Sequence, residues 1–316
     1  MIDSLSKFDK LAISFSGGRT SAVMTKKLVE TYSDSHDIKI TFANTGSEHY
    51  ETLEFVHKCE VHFGWDVTWV EAKIDPRMGK GVRHNIVTYN TASRNHEPFE
   101  EAVKKYGIFN NTTPACTSRL KTSPMESYLK SIGWKFGKSL DHATAIGIRA
   151  DEMDRQSPVA NKFGFVYPLI SWGMTKRDVG LEIRKWPFDL RIPHDAHGNC
   201  VWCWKKSHRK HLTLAQEDPS IFDFPKKCEE KYGHLFSHKK AADENGRTWW
   251  FRLHRSVMDI LKEAKKGNFK PYTDDLFKLG HTDFDEDLDV GGGCGESCEI
   301  GTDAAYEEQL LLFEQE

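Results

Sequence analysis

Leu11, Ala12, Ile13 and Phe15 form an apolar run broken only by Ser14, and a few residues later the apolar positions switch to helical spacing at Ala22, Val23, Leu28 and Val29. The change of period falls across Ser16-Gly17-Gly18-Arg19-Thr20-Ser21, so the stretch 10–25 reads as buried strand, tight loop and helix. A second β-like run at 38–43, a helical stretch ending near Gly64 and a third run at 67–70 continue the alternation. Strands separated by helices predict a parallel sheet with crossover connections. The segment 142–148 reads as a fourth strand and 165–170 as a fifth, with Pro168 placing the latter at an edge or strand end. Between 72 and 113 the pattern weakens, only 98–106 looks helical, and a loop-rich insertion is expected; 175–186 has the spacing of an amphipathic helix. The expected class is α/β: an open, mainly parallel five-stranded sheet with flanking helices over 1–175, a smaller helical region over 176–280, and a tail over 281–316.

Composition sharpens this picture in three ways. With 316 residues, 38% of them hydrophobic and 12% aromatic, the chain can bury a substantial core. No apolar run approaches the roughly 20 residues of a membrane span, and the first ten residues lack an apolar leader core, so a cytoplasmic location without membrane contact is expected. The net charge of −3 hides an asymmetry, because residues 281–316 hold 12 Asp/Glu and no Lys or Arg, leaving +9 on the first 280. A basic body suits a nucleic acid or a multiply charged nucleotide, although Lys and Arg spread over solvated faces would give the same sum.

The chemistry-bearing residues sit mainly where predicted strands end. Gly17 and Gly18 let the backbone close round an anion, and Ser16, Thr20 and Ser21 place hydroxyls beside helix N-terminal N–H groups. In an open parallel sheet the loop Asn44-Thr45-Gly46-Ser47-Glu48 would lie beside it at the strands' carboxyl ends. Gly147 and Arg149 end the fourth strand, with Arg155 nearby; both arginines can reach a phosphate or pair with Asp151, Glu152 or Asp154. Cys116 opens a predicted helix beside Arg119 and Lys121, a setting that favours a thiolate, although a lone cysteine there also suits a core. Cys200 and Cys203 form a Cys-x-x-Cys flanked by tryptophans, without a second such pair, so a metal or cluster there needs Cys116 and a further ligand. Cys228 is the nearest cysteine candidate for that place, but its helical surroundings equally suit a buried structural thiol; Cys294, Cys298 or a histidine could serve instead. Trp249, Trp250 and Phe251 among basic residues suit base stacking or a core. Cys294 and Cys298 lie in a glycine-rich tail and are candidates for a mobile thiol arm.

In sequence order, Ser16-Gly17-Gly18-Arg19-Thr20-Ser21, Asn44-Thr45-Gly46-Ser47-Glu48, Cys116-Thr117-Ser118-Arg119-Leu120-Lys121 and Gly147-Ile148-Arg149-Ala150-Asp151-Glu152 with Arg155 resemble the motifs of the adenine nucleotide α-hydrolase superfamily. Within it the closest likeness is to the PAPS reductase and ATP pyrophosphatase (PP-loop) group. The resemblance implies a Rossmann-like sheet, a nucleotide substrate (ATP, or PAPS) with Mg2+ held by the 16–21, 44–48 and 147–155 loops, and a [4Fe-4S] cluster on Cys116, Cys200 and Cys203. Thr20 stands where the family loop has Asp. The retained glycines, and Gly293-Cys294-Gly295-Glu296 in place of the reductases' Glu-Cys-Gly-x-His, lean towards ATP. The activity so implied adenylates an acceptor oxygen, releases pyrophosphate and inserts sulfur. It would draw on a sulfur donor such as a cysteine desulfurase, or on a thiol reductant, with a nucleic acid as candidate acceptor and a homodimer as candidate assembly. Two alternatives stand beside it: a thiol-dependent PAPS or APS reductase in which Cys294 or Cys298 attacks sulfur, and an inactive nucleotide- or nucleic-acid-binding module.

Overall fold

The first strand, β1 (Lys10–Ser14), is buried from Leu11 onward because it runs through the middle of a sheet covered on both faces. The computed structural model describes residues 2, 5–110, 113–235, 247–250 and 255–274. After β1 come α1 (Arg19–Tyr32), β2 (Asp37–Asn44), α2 (Tyr50–Phe63), β3 (Val67–Ile74), β4 (Val82–Val87), α3 (Glu97–Tyr106) and α4 (Ser123–Ser131). They are followed by β5 (Ala143–Ala145), α5 (Ala160–Phe163), β6 (Phe165–Val166), α6 (Pro168–Ser171), α7 (Lys176–Ile183), α8 (His208–Glu217), α9 (Asp223–Tyr232) and α10 (Val257–Lys266). The sheet order is β4-β3-β2-β1-β5-β6, parallel throughout except for the antiparallel β3–β4 pair.

Alternation along β1 divides the core. Leu11, Ile13 and Phe15 join Val23 and Leu28 of α1, Leu53 and Val56 of α2, and Val179 and Ile183 of α7. Ala12 belongs to the opposite face, with Val70 and the α4 residues Met125 and Leu129. This is the three-layer α/β arrangement expected from the alternating pattern. Because Val179, Ile183, Leu190 and Ile192 share the main core, the sheet body extends past residue 175.

The class is as expected, and the sheet has one strand more than the five read from sequence. The sixth is β4, inside the segment expected to be loop-rich. Its residues Val-Arg-His-Asn-Ile-Val are half-buried or exposed, because an edge strand needs no continuous apolar face. The fifth expected strand is shorter than 165–170: pairing stops at Val166, and Pro168 occupies the first turn of α6, where its missing N–H costs nothing. No helix among the described residues is long and apolar enough to cross a membrane.

The C-terminal helices build a second core with α3. Phe99 stands 4.8 Å from Trp202, Trp202 stands 4.8 Å from Trp250, and Phe224 closes the group at 5.3 Å from Trp202. Trp250 is fully buried, so of the two uses open to it the structure selects core packing over base stacking; Phe251 lies outside the described residues. Buried Glu229 ties this core together, accepting the N–H of Trp250 at 2.7 Å and of Val257 at 2.9 Å.

Candidate nucleotide and thiol site

The loop after β1 is held in shape by its own hydroxyls. Ser16 N–H donates to Ser21 Oγ (3.2 Å), Ser21 Oγ donates to the Gly18 carbonyl (3.1 Å), and Ser16 Oγ lies 2.8 Å from Ser21 Oγ. Gly17 has φ +81°, and a Cβ there would fall 2.8 Å from Thr52 Cγ2, 3.0 Å from Val56 Cγ2 and 3.1 Å from the Phe42 ring. Glycine is thus required by backbone conformation and by close packing on α2. Gly18, in extended conformation, caps α1, whose first N–H groups point across the loop.

Arg19 and Thr20 have structural partners. Arg19 Nε pairs with Asp189 Oδ1 at 2.7 Å and its Nη2 donates to the Leu190 carbonyl at 2.5 Å, tying the loop to the chain beyond α7. Thr20, 2% exposed, accepts from Arg149 Nη1 at 3.1 Å. Arg149 is also held by Asp151 (3.1 Å) and Glu152 (3.3 Å), and Arg155 by Glu152 (2.6 Å). Gly147 is buried. Of the two arginine arrangements left open by the sequence, the structure shows the pairing with acidic residues, and Asp151 and Glu152 hold Arg149 against Thr20 of the loop.

Asn44 ends β2 fully buried, donating to Glu71 Oε1 (2.6 Å) and the Ser93 carbonyl (2.9 Å) and accepting Gly46 N–H (3.1 Å). The Glu48 carboxylate folds back over this turn, accepting Thr45 N–H at 2.9 Å, Thr45 Oγ1–H at 2.9 Å and Ser47 N–H at 3.3 Å, with Lys121 Nζ at 3.9 Å. Gly46 has φ +77°, and Ser47 Oγ lies 2.8 Å from His96 Nδ1.

This same turn carries the Cys-x-x-Cys segment. Glu48 and Cys200 form an antiparallel bridge, Val201 N–H donates to the Ser47 carbonyl at 3.2 Å, and Thr45 Oγ1 lies 3.5 Å from Cys200 Sγ. Fully buried Lys206 donates to the carbonyls of Gly198 (2.8 Å) and Cys200 (2.7 Å), while His211 Nε2 donates to that of Cys203 (2.8 Å). Asn199 takes the left-handed conformation that bends the chain into this knuckle. Cys116, at the start of the helix that continues as a π-helix over Ser118–Thr122, lines one small cavity together with Cys200 and Cys203. Burial pushes the Cys200 thiol far up, with the Glu48 carboxylate adding to the effect.

That donor set has the chemistry of an iron–sulfur cluster site. Three soft sulfur donors from two segments line one cavity, and a bound cluster would reverse the cost of ionising the buried Cys200 and Cys203 thiols. Trp202 and Trp204 line the same cavity, and their indole N–H groups are buried without an acceptor among the described residues. Cys228 does not line the cavity. It is buried in α9, its thiol pushed up to about 12 chiefly by burial, and it packs as a core residue. Cys294 and Cys298 lie outside the described residues.

Sequence reasoning did not assign Lys206 a role beyond a flanking basic residue, nor Glu71, Ser93 and His96 as partners of the Asn44–Glu48 turn. The last three come from chain segments whose proximity no local pattern reveals.

A glycine loop at the head of α1, with a second turn at the carboxyl end of the adjacent parallel strand, is the place where open α/β sheets bind ligands. The phosphoadenosine phosphosulfate reductase domain model matches residues 10–177, and the chain belongs to that family. It is also 30% identical to the uncharacterized nin region protein ORF290 of Escherichia phage lambda over 296 residues, covering 91% of this chain and 94% of that protein.

Proposed function

We propose that this protein is an ATP-dependent sulfur-transfer enzyme. The supporting observation is that one short turn, Thr45–Glu48, is shared between the anion loop's neighbour and the three-thiol cavity. In this reading the N–H groups at the head of α1 and the Arg149 guanidinium bind the β- and γ-phosphates, and an acceptor oxygen attacks the α-phosphorus. The P–O bond to pyrophosphate breaks and an adenylated acceptor forms. A sulfur nucleophile then displaces AMP, taking the bond the oxygen held. An apolar cavity lined by Ala12, Thr41, Met125, Leu129, Phe163 and Phe165 on the α4 face of the sheet suits the adenine base. Cys116, Cys200 and Cys203 would hold the [4Fe-4S] cluster, which supplies sulfur-carrying or electron-carrying chemistry when bound. Lys206 and His211 fix the carbonyls around it, and Glu48, satisfied by backbone N–H groups, keeps the turn closed.

The test is product analysis of anaerobically purified protein. With Mg2+, a persulfide donor and candidate acceptors, ATP should yield AMP and pyrophosphate. Sulfite release from PAPS that is lost in Cys294→Ser or Cys298→Ser would instead favour the reductase alternative, and tight ATP binding without turnover would favour a binding module.

A further inference from the structure

A sulfur-free cluster of metal-ligating groups is built from residues that bracket the Cys-x-x-Cys segment in sequence. His194 caps and His197 ends a single 3-10 turn, Asp195–His197, whose three-residue period sets both rings on one side, with centroids 4.6 Å apart. Glu217, the last residue of α8, reaches between them. His194 Nε2 is 3.1 and 3.0 Å from its two oxygens, and His197 Nε2 is 3.1 Å from Oε2. All three ligand atoms fall within 4.8 Å of one another. In a tetrahedral site with bonds near 2.0–2.1 Å, ligand atoms stand about 3.3 Å apart, so the two His–Glu separations are already within a few tenths of an ångström of that spacing. Neither ring is engaged elsewhere by hydrogen bonding among the described residues, since Nδ1 of each is buried without a partner. The Glu217 side chain is 44% exposed, which gives an ion an entry path and leaves a coordination position open to water.

We infer that His194, His197 and Glu217 bind a zinc-class divalent ion, separate from the thiol cavity, that clamps the two ends of the segment carrying Cys200 and Cys203. His197 precedes Cys200 by three residues, and Glu217 closes the helix that begins just after Lys206. The ion would therefore close the chain from 197 to 217 into a ring around the cysteine knuckle. Two imidazoles and one carboxylate with an open position are a donor set that zinc accepts. The inference stands apart from the sulfur-transfer reading and survives its failure.

The full-length chain, freed of metal, is titrated with Co2+ and separately with Zn2+. In a Cys116→Ser/Cys200→Ser/Cys203→Ser chain, which leaves the thiol cavity without sulfur donors, one cobalt per chain should give tetrahedral ligand-field bands without sulfur-to-cobalt charge transfer. Glu217→Gln, which keeps the size of the exposed side chain, should weaken this binding at least ~10-fold, and His194→Ala should do the same. In that triple-serine background Zn2+ should raise the Tm, and adding Glu217→Gln should abolish the rise. Cobalt bound only with sulfur charge transfer, affinity indifferent to Glu217→Gln, or no binding at millimolar metal would each overturn the site.

Discussion

Gly17→Ala and Gly180→Ala make the same chemical change with opposite consequences, and the contrast probes how the anion loop is built. At Gly17 the added methyl meets Thr52 Cγ2 at 2.8 Å, Val56 Cγ2 at 3.0 Å and Phe42 Cε2 at 3.1 Å, on a backbone at φ +81°. Thr52 and Val56 are β-branched residues within α2, where χ1 is stiff, and Phe42 is 1% exposed, so none can move aside cheaply. A left-handed alanine costs about 1–2 kcal/mol and overpacking about 1–3 more. For a domain of this size the sum lowers Tm by roughly 5–15 °C. At Gly180, inside α7, nothing lies within 4 Å of the new methyl, and the gain in helix propensity is about 0.8–1 kcal/mol. Tm should rise by about 2–4 °C there. Calorimetry of the two variants beside the parent settles the matter. If Gly17→Ala melts within about 1 °C of the parent, the close approach of loop and α2 is wrong. ATP binding measured below both melting points should also weaken in Gly17→Ala alone.

Other predictions concern buried polar groups. Lys206→Met removes the ammonium that holds the Gly198 and Cys200 carbonyls, and metal retention at the thiol cavity should fall about 10–100-fold while far-ultraviolet circular dichroism is unchanged; metal-to-protein ratios after chelator challenge measure it. Thr20→Val keeps the volume but deletes the acceptor facing Arg149, and urea denaturation should show a loss of about 1.5–3 kcal/mol. Glu229 has its pKa raised to about 8, chiefly by burial, so the folded state binds a proton more readily than the unfolded one. The resulting stability is fully present below about pH 4.5 and is lost as pH rises through about 8, a difference on the order of 3–5 kcal/mol that Glu229→Gln should flatten. A parent whose denaturation midpoint does not fall across that window would contradict the burial of this carboxyl.

Much of this architecture was legible in the sequence because the signals are local. The run from Leu11 to Phe15 is long enough to be a central strand, and the change of apolar spacing after Ser21 could only belong to a helix. The place of the anion loop and of the 44–48 turn followed from strand order alone. β4 escaped detection because an edge strand with exposed Arg83 and Asn85 carries no apolar period. Gly17 was read as making room for an anion, whereas it also makes room for α2, a long-range contact that spacing cannot reveal. Cys228 shows the reverse limit: a cysteine near a Cys-x-x-Cys in sequence looks like a ligand, but the helical phase of α9 turns it into the aromatic core. Cys116 was grouped with Cys200 and Cys203 because a lone Cys-x-x-Cys lacks ligands, and because of the family resemblance; the three residues line one cavity.

The account rests most heavily on Cys116, Cys200 and Cys203 acting together beside a nucleotide loop. Iron and acid-labile sulfide, measured in anaerobically purified parent and Cys116→Ser protein, test it most directly. The account predicts a brown parent with iron and sulfide in near-equal amounts and a Cys116→Ser chain that folds but has lost both. A colourless parent holding only zinc, or a Cys116→Ser protein that keeps its full iron and sulfide, would contradict it.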